Sequence, residues 1–133
     1  MGSRLTELVV DCRNPVALAS FWAAALGYHL VRTDDGQAEI AAWAEEPPDL
    51  AAQVLRAATV PSLVFVAVPE GKAVKNRLHL DLRPVGCSHQ AEVERLIGLG
   101  ARPADIGQGS LPWAVLADPE GNEFCVLGPV AHP

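Results

Sequence analysis

The sequence predicts an α+β fold of two pseudo-symmetric βαβββ-type modules, and three observations predict it. A helix pattern from Asn14 to Gly27 and another from Ser88 to Gly100 start at similar offsets after a strand-like run. The pair Leu26 and Gly27 recurs as Leu99 and Gly100, a period of about 73 residues. Each helix is then followed by two or three apolar strand-like runs. A long unit repeated once indicates paired modules rather than a solenoid, which stacks many short repeats.

The elements follow in order. "LTELVVDC" (Leu5 to Cys12) alternates as a strand, with Leu8 and Val10 on one face and Glu7, Val9 and Asp11 on the other. "NPVALASFWAAALG" carries Asn14 as N-cap, Pro15 at the first helical position, Leu18, Phe21, Trp22, Ala25 and Leu26 on the apolar face, and Gly27 as the stop. "DDG" (Asp34 to Gly36) turns a hairpin between Tyr28–Thr33 and Gln37–Trp43. The stretch 44–61 opens with a proline break and then offers Leu50, Val54 and Leu55 at near-helical spacing, so it reads as a short helix or an ordered loop. "SLVFVAV", bounded by Pro61 and Pro69, is a strand buried on both faces. After the polar connector "EGKAVK" come a strand "NRLHLDLRP", a helix with Val93, Leu96 and Ile97 inward, and a hairpin in which "WAVLA" and "EFCVL" flank "DPEGN". Residues 1–133 therefore read as one domain, with module one at about 4–69, a connector at 70–75 and module two at about 76–129.

Composition excludes several classes of function. Half of the 133 residues are apolar, enough to bury a core without disulfides or metal staples. A net charge of -6 and scattered Lys and Arg offer no basic stripe, which argues against nucleic acid as partner. The amino-terminal run is broken by Glu7 and reads as neither a signal peptide nor a membrane span. Cys12, Cys87 and Cys125 are odd in number and lack CxxC spacing, so they read as small buried apolar residues of a cytoplasmic protein.

Chemistry concentrates in "NRLHLDL". On a strand, Arg77, His79 and Asp81 share one face and Leu78, Leu80 and Leu82 the other. His79 can then be a metal ligand, a general base, or a polar wall residue hydrogen-bonded to Glu7 or Asp81. Arg77 and Asp81 can clamp an anionic or hydroxylated ligand or pair with each other. Trp43 and Trp113 fall at strand ends, where rings wall a binding site or pack in the core, and Trp22 belongs to the core or an interface. Asp118, Glu120 and Asn122 read as turn chemistry. His29 and His89 are expected to be exposed, His132 lies in the tail, and "GQGS" (Gly107 to Ser110) lacks the lysine of a phosphate loop.

The duplicated pattern, the "FW…LG" helix end, "KNRLHLDL" and above all "WAVLADPEGNEFCVL" resemble the glyoxalase-like branch of the vicinal oxygen chelate superfamily, which includes glyoxalases, bleomycin-resistance proteins and extradiol dioxygenases. The resemblance implies curved sheets forming a cup with helices outside, a small-molecule ligand, a homodimer, and often a divalent metal such as zinc, nickel or manganese. It places metal-ligand positions at Glu7 and His79, about 72 residues apart, and a third at Cys125, with Glu123 two residues earlier on the same face. The remaining position falls in "LVFVAV", where Phe65 and Val66 offer no donor. It further implies a lyase or isomerase acting on an organic metabolite, in which His79 or Glu7 moves a proton and Arg77 or a metal stabilises charge, or else a resistance-type protein that sequesters a drug without chemistry. The expected ligand wall comprises Trp43, Arg77, Asp81, Trp113, Glu123 and Cys125.

Overall fold

A computed structural model describes residues 2–45, 48–57, 60–107, 109 and 112–129. The chain divides into two compact units, Met1–Gly71 and Lys72–Pro133. The first contains β1 (Glu7–Cys12), α1 (Pro15–Leu26), β2 (His29–Asp34), β3 (Gln37–Ala41), α2 (Leu50–Ala57) and β4 (Ser62–Ala67). The second contains β5 (Asp81–Leu82), α3 (His89–Leu99), β6 (Arg102–Pro103), β7 (Ala114–Ala117) and β8 (Glu123–Val126). Their sheets have the orders β1-β4-β3-β2 and β5-β8-β7-β6, and in both the unit's first strand runs parallel to its last while the other pairs are antiparallel. The expected α+β class and the duplicated plan are thus both present.

In the first unit Asn14 caps α1, its Oδ1 accepting from the Ala17 amide at 3.2 Å, and Gly27 ends the helix at φ 69°, a left-handed conformation that costs glycine little. The buried face of α1 (Leu18, Ala19, Phe21, Trp22, Ala25) belongs to a helix that packs on β3 and β4, where Ala38, Ile40, Leu63 and Phe65 are also buried. Trp22 is a core residue, its ring meeting Phe21 edge-on at 5.2 Å. Ser62 to Phe65 are all buried, as a strand covered on both faces requires. The opposite face of the sheet holds buried Glu39, which is paired with Arg32 at 2.9 Å. Within the stretch 44–61, Leu50–Ala57 form α2, capped by Asp49, whose Oδ1 accepts from the Ala52 amide at 2.8 Å. Residues 46, 47, 58 and 59 of the stretch lie outside the described residues.

In the second unit Ser88 caps α3 as Asn14 caps α1, accepting from the Ala91 amide at 3.1 Å. Several expectations are corrected here. The buried stripe of α3 runs through Glu92 and Leu96, and Ile97 is exposed; Glu92 tolerates burial because Arg95 chelates both its oxygens at 2.6 and 2.9 Å. His89 is partly covered and its Nε2 lies 2.9 Å from the Val126 carbonyl. Cys87 is exposed, whereas Cys12 and Cys125 are buried. The strand expected over 76–84 shrinks to Asp81–Leu82: its parallel partner β8 begins only at Glu123, and upstream the Asn76 amide donates to the Glu123 carboxylate. Leu78 consequently stands 85% exposed rather than on a core face. His132, Gln108 and Ser110 lie outside the described residues. The "DPEGN" turn is structural as expected: buried Asp118 accepts from the Glu120 and Asn122 amides at 2.9 and 3.0 Å. Among the described residues, no helix is long and apolar enough to cross a membrane.

Candidate functional site

The parallel pairing of β5 with β8 brings three chemically active side chains together. Asp81 lies opposite Cys125, and the register is held by the Cys125 amide donating to the Leu80 carbonyl at 2.9 Å and the Leu127 amide to the Leu82 carbonyl at 2.8 Å. His79, two residues before Asp81, reaches the same side. Its Nδ1 lies 3.1 Å from Asp81 Oδ1 and 4.0 Å from Cys125 Sγ, and the donor atoms of all three residues lie within 4.8 Å of one another. The His79 and Asp81 side chains are 43% and 48% exposed, while Cys125 is buried beneath them.

Electrostatics divide this cluster from its neighbour. Burial, then the Asp81 carboxylate and its hydrogen bond with the sulfur, push the Cys125 thiol above its ordinary range, so it stays an S–H at neutral pH. Glu123 behaves in the opposite sense. Burial alone would raise it, but the Lys72 ammonium at 2.8 Å and the Asn76 amide at 2.9 Å together hold its carboxyl below the usual range.

Of the residues expected in the site, His79, Asp81 and Cys125 meet. Glu123 follows the turn two residues before Cys125, but Oε1 binds Lys72 and Oε2 binds Asn76. Asp81 pairs with His79 rather than with Arg77, which is exposed two residues before the histidine. Trp113 stands 38% exposed just before β7. Glu7 and Trp43 belong to the first unit: Glu7 is exposed at the start of β1 opposite Ser62, and Trp43 is half-buried just after β3. Sequence reasoning missed Lys72 and Asn76, and no local signal announces that these connector residues hold Glu123. The His-x-Asp spacing did announce that His79 and Asp81 could meet.

The residues also test the divalent metal that the resemblance implies. Glu123 fits poorly as a ligand, since both carboxylate oxygens already have donors. The nitrogen, oxygen and sulfur of His79, Asp81 and Cys125 fit well. Adjacent donors around a tetrahedral zinc lie about 3.3–3.6 Å apart, given bond lengths of about 2.0–2.3 Å.

The model of the glyoxalase-like domain matches residues 7–127, nearly the whole chain. The chain belongs to the glyoxalase-like domain family. Solved structures agree in fold. A glyoxalase/bleomycin resistance protein/dioxygenase family enzyme from Burkholderia phytofirmans is similar at 17% identity and a TM-score of 0.61, covering 93% of this chain and 97% of that one. The fosfomycin resistance protein FosX from Mesorhizobium loti is similar at 11% identity and a TM-score of 0.64, covering 96% and 92%. A mutant FosX from Listeria monocytogenes, complexed with Mn(II) and 1S,2S-dihydroxypropylphosphonic acid, is similar at 9% identity and a TM-score of 0.64, covering 98% and 95%. A search of curated proteins finds no match. The third metal-ligand position that the resemblance implies falls on Cys125 of β8, so this glyoxalase-like protein carries a sulfur there.

Proposed function

We propose that this glyoxalase-like protein is an enzyme of the lyase or isomerase kind that moves a proton on a small organic metabolite, with His79 as the base. The observation that carries the reading is the 3.1 Å contact between His79 Nδ1 and Asp81 Oδ1. A carboxylate on Nδ1–H fixes the tautomer and the ring plane, and it stabilises the imidazolium formed when Nε2 takes a proton. The half-exposed ring gives a substrate access to that nitrogen. Proton removal by a nitrogen base needs an acidic C–H, so the fitting substrates carry hydrogen alpha to a carbonyl. Arg77 supplies the cation for the resulting enolate oxygen. A divalent metal, when bound, would be held by His79, Asp81 and Cys125 in place of the His79–Asp81 hydrogen bond and would supply Lewis-acid stabilisation of the same oxygen, with Glu7 as the proton carrier instead of His79.

The test is solvent exchange. Wild-type protein is incubated in D2O with a panel of alpha-hydroxy and alpha-keto compounds, and deuterium incorporation is read by NMR, with fosfomycin included as a binding probe because two structural neighbours are named for resistance to it. Exchange that falls on the order of a hundredfold or more in His79→Ala supports the base role. Glu7, the other proton carrier expected from the sequence, is compared through Glu7→Gln. Unchanged exchange in His79→Ala contradicts the role, and ligand binding without exchange in the wild type favours the sequestering alternative. The homodimer implied by the family resemblance forms part of this reading and is checked by light scattering.

A further inference from the structure

The register of the second sheet places an arginine on the face that carries Cys125. Directly paired residues of neighbouring strands point to the same side of a sheet. Arg102 of β6 pairs with Ala117 of β7, and Ala117 with Glu123 of β8, while in the adjacent row Val115 pairs with Cys125. Residues two apart on a strand also share a face. Arg102, Ala117, Val115, Glu123 and Cys125 therefore line one side, to which the parallel pairing adds Asp81. Arg102 stands two strands from β8, about 10 Å at the usual strand separation.

This guanidinium has no counter-charge. Arg102 is exposed and engages no carboxylate or carbonyl among the described residues. Between it and β8 stand Ala117 and Val115, both buried and apolar. The acid of its own row is Glu123, but Lys72 holds Oε1 at 2.8 Å and the Asn76 amide holds Oε2 at 2.9 Å. The first sheet shows the other outcome. There Arg32 faces Glu39 across β2 and β3 and is paired with it at 2.9 Å and with Asp34 at 3.3 Å. One arginine is neutralised within its own sheet, whereas Arg102 is left with donors for an anion from outside the chain.

From this placement we infer that Arg102 is the specificity-determining residue of the site: it binds an oxyanion head group, which makes the substrate a short organic acid. A planar guanidinium offers two parallel N–H donors to the oxygens of a carboxylate or a phosphonate. An arginine extended over Ala117 spans more than half of the distance to β8, and a short carbon skeleton covers the rest. His79 Nδ1 lies 4.0 Å from Cys125 Sγ, so the imidazole waits at the β8 end of that line. Head group and acidic C–H are thereby held at opposite ends of one sheet face. The inference rests on the proton-transfer reading and adds the charge and length of the substrate to it. It also divides the work of two cations: Arg102 holds the negative charge the substrate brings, and Arg77 meets the charge that develops on the enolate oxygen.

The experiment measures binding and exchange separately on the full chain. The probes are short 2-oxo and 2-hydroxy acids, their methyl esters and the corresponding phosphonates, with affinity read by calorimetry and exchange by NMR in D2O. Wild type should bind its best acid or phosphonate on the order of tenfold to a hundredfold more tightly than the neutral ester, which lacks the charge-assisted pair. Arg102→Gln should remove that preference, and Arg102→Lys should restore part of it. At saturating acid, Arg102→Gln should exchange at close to the wild-type rate. Arg77→Gln should exchange more slowly and keep the preference. A carboxylate bound ahead of its phosphonate, or the reverse order, supports the oxyanion site and tells which head group it takes. Esters bound as tightly as acids, no binding of any acid, or a preference unchanged in Arg102→Gln would overturn the site. So would an equal loss of preference in Arg77→Gln. A preference for acids without exchange contradicts the base role of His79 and leaves the anion site standing, while exchange on esters alone does the opposite.

Discussion

The Lys72 ammonium lies 2.8 Å from Glu123 Oε1, and the same carboxylate accepts the Asn76 amide through Oε2 at 2.9 Å. This pair ties the start of the second unit to β8. The tie lies five residues before Asp81, where the chain approaches β5.

Glu123 gives a pH dependence of stability. Its folded-state carboxyl titrates below the ordinary 4.5, so the folded form favours the ionised group. That contribution is complete above the unfolded value and is lost as pH falls through the depressed folded value. Glu123→Gln should therefore lower stability at pH 7 by about 1–3 kcal/mol, and the gap from wild type should shrink steadily as pH drops below 4.5. Urea melts across that range measure it; a gap independent of pH would show that the charge contributes nothing.

The three thiols should differ in reactivity. Cys87 is exposed, Cys12 is buried, and Cys125 is buried with its thiol held above the ordinary range by burial and Asp81. Native protein treated with iodoacetamide at pH 7.5 and mapped by mass spectrometry should carry label at Cys87 first, with Cys125 slower by at least about tenfold. Equal labelling of Cys87 and Cys125 would contradict the described burial.

The matched helix caps should have matched costs. Asn14 and Ser88 each accept one amide of the first helical turn, so Asn14→Ala and Ser88→Ala should each destabilise by about 1 kcal/mol. Thermal or denaturant melts of the two variants make the comparison. A loss at one cap and none at the other would show that the duplicated plan is not energetically duplicated.

Helix boundaries and repeat topology were legible in the sequence because their causes are local. Asn14, Pro15, Gly27, Ser88 and Gly100 act through neighbouring backbone, and the Asp118 turn bonds within four residues. The length of β5 was not legible, since it depends on the register with β8, which begins only at Glu123. Ile97 was misplaced for a related reason: Arg95 neutralises Glu92, which lets the buried stripe of α3 run through a carboxylate. In the site, the spacing of His79 and Asp81 was readable, but the arrival of Cys125 opposite Asp81 is a matter of strand register, which spacing along one strand does not reveal.

The central claim, that Asp81 holds His79 as a working base, is tested most directly by comparing solvent deuterium exchange in wild type, His79→Ala and Asp81→Asn, with substrate affinity measured in parallel. The account predicts that His79→Ala abolishes exchange and that Asp81→Asn lowers its rate on the order of tenfold to a hundredfold with affinity little changed, because the ring loses its orienting carboxylate. Full exchange in Asp81→Asn, or a fall in affinity that accounts for the whole loss, would contradict it.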